Sequence, residues 1–265
     1  MQNRNNIFFF YHPRQEGNKT DYLKSAAEQN GLQVVSDPKE ASIIVSFGGD
    51  GTFLQAVRQT GFRQDCIYTG ITEDEQIGLY CDFSITKFDE MIDAVTNNKI
   101  EVRRFPTIKV SVDGEKPFYC LNEVSLRSSI IKTIVIDVKI DDEHFETFRG
   151  DGMVVSTPTG STGYSKSAHG AVIDPLLSSF QVSEVASLNN NNYRTLGSSF
   201  ILNKDRKLQL AVIQNGNDHP IISLDNEAWP VQRIHHVDIE MDDTVIKTVK
   251  MTNNTFWNRI QRTFL

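Results

Sequence analysis

The change in texture near Ile100 constrains this chain more than any other feature of its 265 residues. Before it, strand-like and helix-like segments alternate. Residues 7–11, 32–35, 42–47 and 66–71 are short apolar or β-branched runs that read as buried strands. Between them, 18–30 carries helical spacing and meets Gly31, and 52–59 does the same before Gly61. Residues 86–98 follow as a helix with Phe88, Met91, Ile92 and Val95 on one face. Strand and helix in strict alternation call for a parallel sheet covered by helices. After Ile100 the pattern becomes β-rich, with strands expected over 102–112, 116–127, 133–140, 153–156, 207–213, 221–224 and 231–240. Asp113-Gly114 and Asn215-Gly216 mark turns, and one helical stretch is expected near 160–169. The expected organisation is an α/β domain over 1–100, a β-rich domain over 101–250 and a terminal helix over 251–265. In that helix Phe256, Trp257, Ile260 and Phe264 recur at helical spacing, a pattern expected to dock on a core.

Charge narrows the function classes. A net charge of −7 with no Lys/Arg-rich block disfavours nucleic acid as a partner, because a duplex binder displaces counterions with a basic surface. Cys66, Cys81 and Cys120 are far apart and lack zinc-site spacing, so they read as core thiols in a reducing compartment. The apolar run at 7–11 is too short for a secretory core of about 7–15 residues or a membrane span of about 20. A cytoplasmic protein with no membrane partner is the expectation.

Gly48-Gly49-Asp50-Gly51-Thr52 sits directly between a strand and a helix. Glycines allow a tight turn and let backbone N–H groups approach an anion, and a helix N-terminus adds partial positive charge. Thr52 is a candidate cap for that helix. Asp50 makes the turn unusual, since a carboxylate repels phosphate unless it meets magnesium or takes a proton from an incoming hydroxyl. No G-x-x-x-x-G-K-[ST] occurs, which sets aside a Walker-type reading, and the G-x-G-x-x-G fingerprint fails at Leu54, which weakens a hydride-transfer one. Asn122-Glu123 offers a donor, an acceptor and a carboxylate suited to vicinal ribose hydroxyls. A third run, Phe148-Arg149-Gly150-Asp151-Gly152 and then Thr157-Pro158-Thr159-Gly160-Ser161-Thr162-Gly163-Tyr164-Ser165-Lys166-Ser167, carries a second Gly-Asp-Gly and a hydroxyl-rich turn. At a helix start, 160–162 would present donors to a phosphate or ribose, and Tyr164 could stack on a flat ring.

Together and in this order, the motifs resemble those of the NAD kinase family: GGDGT after a strand, an Asn-Glu pair, then DG…TPTGSTAY. The resemblance runs from about Ser42 to Ser199 and weakly to Asp225. It implies a Rossmann-like N-terminal domain, a β-rich C-terminal domain and a final helix returning to the first. It further implies that ATP, with magnesium or another divalent cation, phosphorylates the adenosine ribose 2′-hydroxyl of NAD to give NADP. Asp50 would be the general base, with Gly49, Gly51 and Thr52 near the phosphates. Asn122 and Glu123 would hold the adenosine end, and Thr162, Gly163 and Ser167 the adenine, with Tyr164 against the dinucleotide. Arg149 belongs to the same nucleotide-binding set, Asp151 and Ala186 would face the nicotinamide, and Asp225 would make a polar contact near the phosphates. A homotetramer, or at least a dimer, is implied as well.

The chain departs from the family pattern in three places, one of them His169-Gly170 where the family has a double glycine. Gly163 stands where the family has alanine. The family's G-I-N-T-G-H-L-G-F appears as Gly70-Ile71-Thr72-Glu73-Asp74-Glu75-Gln76-Ile77-Gly78-Leu79-Tyr80, whose acidic centre reads as a surface loop. Two rivals remain open: a lipid kinase of the diacylglycerol kinase type, which shares GGDGT, and a dinucleotide-binding protein without catalysis.

Overall fold

The computed structural model describes residues 5–15, 17–73, 78–87, 90–91, 93–94, 99–191, 193–214, 216–217, 219–229, 232–252 and 254–265. The chain forms two compact units: Met1–Phe105 with Val245–Leu265, and Pro106–Thr244.

In the first unit, β1 (Asn6–Tyr11), β2 (Gln33–Val34), β3 (Ile43–Phe47), β4 (Ile67–Thr72) and β5 (Cys81–Ser84) are parallel and stand in the order β2-β1-β3-β4-β5. Helix α1 (Asn18–Gln29) buries Leu23, Ala26 and Ala27, and α2 (Asp50–Gln59) buries Phe53, Leu54, Ala56 and Val57. This is a doubly wound arrangement whose order reverses between β1 and β3, and such sheets bind ligands beyond the carboxyl ends of strands at that reversal. The Gly48 turn leaves β3 there. Most of the helix expected over 86–98 lies outside the described residues; residues 90, 91, 93 and 94 are helical. Residues 74–76 of the acidic loop also lie outside them, while Glu73 pairs with Lys19 at 3.2 Å.

The second unit is built from β strands. It contains most of β6 (Ile100–Val112) and the first part of β17 (His236–Met251). Between them come β7 (Phe118–Cys120), β8 (Glu123–Arg127), β9 (Ile134–Ile140), β10 (Glu143–Gly150), β11 (Gly152–Ser156), β12 (Ser179–Val185), β13 (Phe200–Asn203), β14 (Lys207–Val212), β15 (Ile221–Leu224) and β16 (Glu227–Ala228). A six-stranded antiparallel sheet runs β13-β12-β11-β8-β15-β16, and β10-β9-β14-β17 form a second antiparallel array. Val124, Leu126, Val155 and Val182 from the one meet Ile136, Val138, Leu210 and Val237 from the other in a single core.

The expected helix near 160–169 is smaller than the spacing indicates. It consists of a 3-10 turn, Gly160–Thr162, and a four-residue α3 (Tyr164–Ser167). The last helix, α4 (Phe256–Phe264), belongs to the first unit, with Phe256 and Ile260 half-buried. Trp257 is 50% exposed and Phe264 40%, and the buried residue is Arg259. All three cysteines are free and buried. Among the described residues no helix is long and apolar enough to cross a membrane.

Candidate active site

The phosphate-type turn is built by one obligatory glycine. Gly48 has φ +144°, and a Cβ there would lie 2.4 Å from the Thr52 Oγ1. Gly49, whose added Cβ would meet open space, is the N-cap of α2, so Thr52 falls inside the first turn and not at the cap expected for it. Helix α2 therefore begins at Asp50, and Gly51 follows within its first turn.

The Asp50 side chain is fixed from across the turn. Its Oδ2 accepts from the Leu79 amide at 2.7 Å and its Oδ1 from the Tyr80 amide at 2.9 Å. The Tyr80 ring stacks on Phe53, one turn along the same helix, with centroids 5.1 Å apart and planes 4° from parallel. That contact holds the donating amides against the residue they orient. Gly78 completes the bracket, because a Cβ there would lie 2.5 Å from the carboxylate. The sequence motif pointed to Asp50 but not to these partners. Their signal lay in the retained Gly78-Leu79 flank of the otherwise altered loop.

In the second unit, Asn122 and Glu123 sit where β8 begins opposite the end of β11. Asp225, with φ +52°, is placed beneath them. Its carboxylate accepts from the amides of Leu121 (3.1 Å), Asn122 (2.7 Å) and Glu123 (3.2 Å). Both Asp225 oxygens are thus engaged in shaping the Asn-Glu turn, a backbone-holding position that the motif reading did not anticipate.

The hydroxyl-rich run packs against the same turn. Thr157 Oγ1 donates to the Leu121 carbonyl at 2.6 Å, Ser161 Oγ to Pro158 at 2.5 Å and Thr162 Oγ1 to Thr159 at 2.9 Å. These donors shape the loop rather than stand ready for a ligand. Gly160 is forced, since a Cβ there would lie 1.9 Å from the Asn122 carbonyl oxygen.

Glu123 is the chemically unusual member. It is 9% exposed, and its Oε2 has no hydrogen-bond partner among the described residues. Burial, reinforced by Asp225 and opposed by the Tyr164 amide, pushes its carboxyl up to about 8. At neutral pH it therefore carries a proton and can donate as well as accept. A Cβ at Gly163 would lie 2.8 Å from that same Oε2, so the departure from alanine leaves this carboxyl its space. Arg127 lies over the Tyr164 ring at 5.5 Å, and Ser167 is exposed on α3.

Arg149, Asp151 and Ala186 form another group, where β10 and β12 end and β11 begins. Arg149 donates to Thr133 Oγ1 (3.0 Å) and to the Tyr193 hydroxyl (2.5 Å), with its guanidinium 4.4 Å from that ring. The exposed Asp151 donates its amide to Val185 at 2.9 Å, and the exposed Ala186 has φ +48°.

A phosphate-type turn carrying an oriented carboxylate and a polar Asn-Glu turn lie in one chain, in the order the motifs have. Residues 121–250 match the family described as ATP-NAD kinase C-terminal domain. Over their full lengths, this chain and the protein called NAD kinase 2 from Oceanobacillus iheyensis are 69% identical. The NAD kinase 2 of Bacillus subtilis is 58% identical, with 99% of this chain and 98% of that one covered. The chain belongs to the NAD kinase family. Two solved members share its fold. An NAD kinase from Archaeoglobus fulgidus in complex with ATP has a TM-score of 0.77 at 24% identity, covering 97% of this chain and 98% of that one. Yeast NADH kinase complexed with NADH also has a TM-score of 0.77, at 16% identity, covering 97% and 85%. Within this family Asp50 is the carboxylate of the GGDGT turn, and Glu123 the acid of the Asn-Glu pair.

Proposed function

We propose that this member of the NAD kinase family transfers the γ-phosphoryl group of ATP to the adenosine ribose 2′-hydroxyl of NAD, releasing ADP and NADP. The observation that carries the reading is the Asp50 carboxylate, aimed by the Leu79 and Tyr80 amides at the head of a glycine turn. Two amide hydrogen bonds fix the direction of this carboxylate and leave lone pairs for a hydroxyl proton.

Phosphoryl transfer demands positioning and charge stabilisation more than covalent work. As the 2′-oxygen attacks the γ-phosphorus, its proton passes to Asp50 and the bond to the ADP oxygen breaks. Gly49, Gly51 and Thr52 stand at the phosphates. Asn122 and the protonated Glu123 hold the adenosine end, with Asp225 keeping their backbone in place. Thr162, Gly163 and Ser167 line the adenine, Tyr164 packs on the dinucleotide, Asp151 and Ala186 attend the nicotinamide end, and Arg149 belongs to the same nucleotide-binding set. Magnesium, or another divalent cation, enters with ATP as part of the substrate. Magnesium is commonly held by phosphate oxygens and one or two carboxylates. We place the enzyme in the cytoplasm as a homotetramer or dimer, acting on NAD and ATP without nucleic acid or membrane.

The test is NADP formation by purified protein with MgATP, run beside diacylglycerol as acceptor. NADP should form and the lipid should remain unmodified. Asp50→Asn should leave NAD affinity within twofold and lower turnover by about 10²–10⁴, the usual worth of a positioned base. Unchanged turnover would remove Asp50 from the role.

A further inference from the structure

Helix α4 delivers a cation into the interior of the first unit. Arg259 is 0% exposed, and its guanidinium is shared between two acceptors. Nη2 pairs with Asp82 Oδ1, and Nη1 donates to the Leu79 carbonyl. Asp82, itself 1% exposed, also accepts from Arg103 Nη2 and from Asn254 Nδ2 at 2.8 Å. The second acceptor is the informative one. The peptide whose carbonyl Arg259 holds belongs to Leu79, and the Leu79 and Tyr80 amides on either side of that carbonyl both donate to Asp50. The Leu79 carbonyl and the Tyr80 N–H belong to one rigid peptide plane, so gripping the oxygen fixes the direction of the hydrogen.

We propose that Arg259 is a positioning residue for phosphoryl transfer, acting through the Leu79–Tyr80 peptide to aim the Asp50 carboxylate. This rests on the reading of Asp50 as the base. The guanidinium suits the task because its planar fork serves a carboxylate and a carbonyl at once, which a lysine ammonium does less well. Helix α4 is thereby a component of the active site. A displacement of about 1 Å at a reacting group is enough to cost two orders of magnitude in rate.

The experiment is a double-mutant cycle in the full-length enzyme. Arg259→Met should fold, because Asp82 keeps Arg103 and Asn254. It should lower kcat at least tenfold with the KM for NAD within twofold. In an Asp50→Asn background the same substitution should cause no further loss, since its route to the chemistry is already cut. Equal losses in both backgrounds, or no loss in the first, would overturn the proposal while leaving Asp50 as the base. If Asp50→Asn alone leaves turnover unchanged, the reading of Asp50 fails and the proposal with it. Should Arg259→Met not fold, Arg259→Lys carries the same cycle. It keeps the charge beside Asp82 but loses the fork, and the same two patterns of loss decide.

Discussion

At the scale of single residues, environment changes what a motif letter means. Glu123 reads in sequence as an ionised acceptor, yet its burial beside Asp225 raises its carboxyl from 4.5 to about 8. The sign follows from linkage: the folded state binds this proton more tightly than the unfolded chain does. Its contribution to stability is therefore complete below pH 4.5 and is lost as pH rises through about 8. Glu123→Gln keeps the shape and removes the titration. The melting temperature of the wild type, compared with that variant, should fall between pH 6 and pH 9, as thermal unfolding in matched buffers would measure. Parallel profiles would mean that Glu123 is ionised throughout. The identity of this residue was legible in the motif. Its protonation was not, because Asp225 reaches it from 102 positions away along the chain.

At the scale of elements, residues 78–80 leading into β5 act as a bracket for the first turn of α2. Gly78 is its tightest point, and a methyl there would lie 2.5 Å from the Asp50 oxygens. Gly78→Ala should therefore push the carboxylate off the Leu79 and Tyr80 amides. We expect a kcat reduced by about 10²-fold, the scale of a misplaced catalytic group, with little change in the far-ultraviolet circular dichroism. A kcat within twofold of wild type would show that the bracket is dispensable. The sequence made β1, β3, β4 and α2 legible because apolar runs and glycine punctuation coincide there. It concealed β12, whose buried positions include Gln181, Ser183 and Glu184. These polar groups bond to Ser165, Ala171, Thr195, Ser199 and the Gly197 amide, holding loops on both sides, so no hydrophobic alternation betrays the strand. In α4 the aromatic spacing did not point to Arg259, the fully buried residue of the helix, which two partners anchor. Periodicity counts apolar residues and cannot register a paired cation.

For the whole molecule, the decisive fact is that one unit is continuous in sequence and the other is not. Every residue of the large β core, from Ile108 to Ile239, lies inside Pro106–Thr244. The first unit needs both chain ends. Thr248 pairs with Tyr68 of β4, and Asp82 takes Arg259 and Asn254 from beyond residue 244. Without that segment β4 loses its β17 neighbour and Asp82 keeps Arg103 alone of its three partners, a loss that weighs heavily against a domain's marginal stability. Residues 106–244 expressed alone should thus give a β-type circular dichroism spectrum and a cooperative melt, and residues 1–105 alone should give neither. The two crossings of the chain are neighbours, since Thr107 Oγ1 donates to the Thr244 carbonyl at 2.8 Å. A short glycine-serine linker joining 1–105 directly to 245–265 should then restore a cooperative melt to the first unit. If 1–105 folds as well without the C-terminal segment as with it, the strand and helix supplied from the far end of the chain are not needed to hold the α/β unit together, and Arg103 alone compensates Asp82.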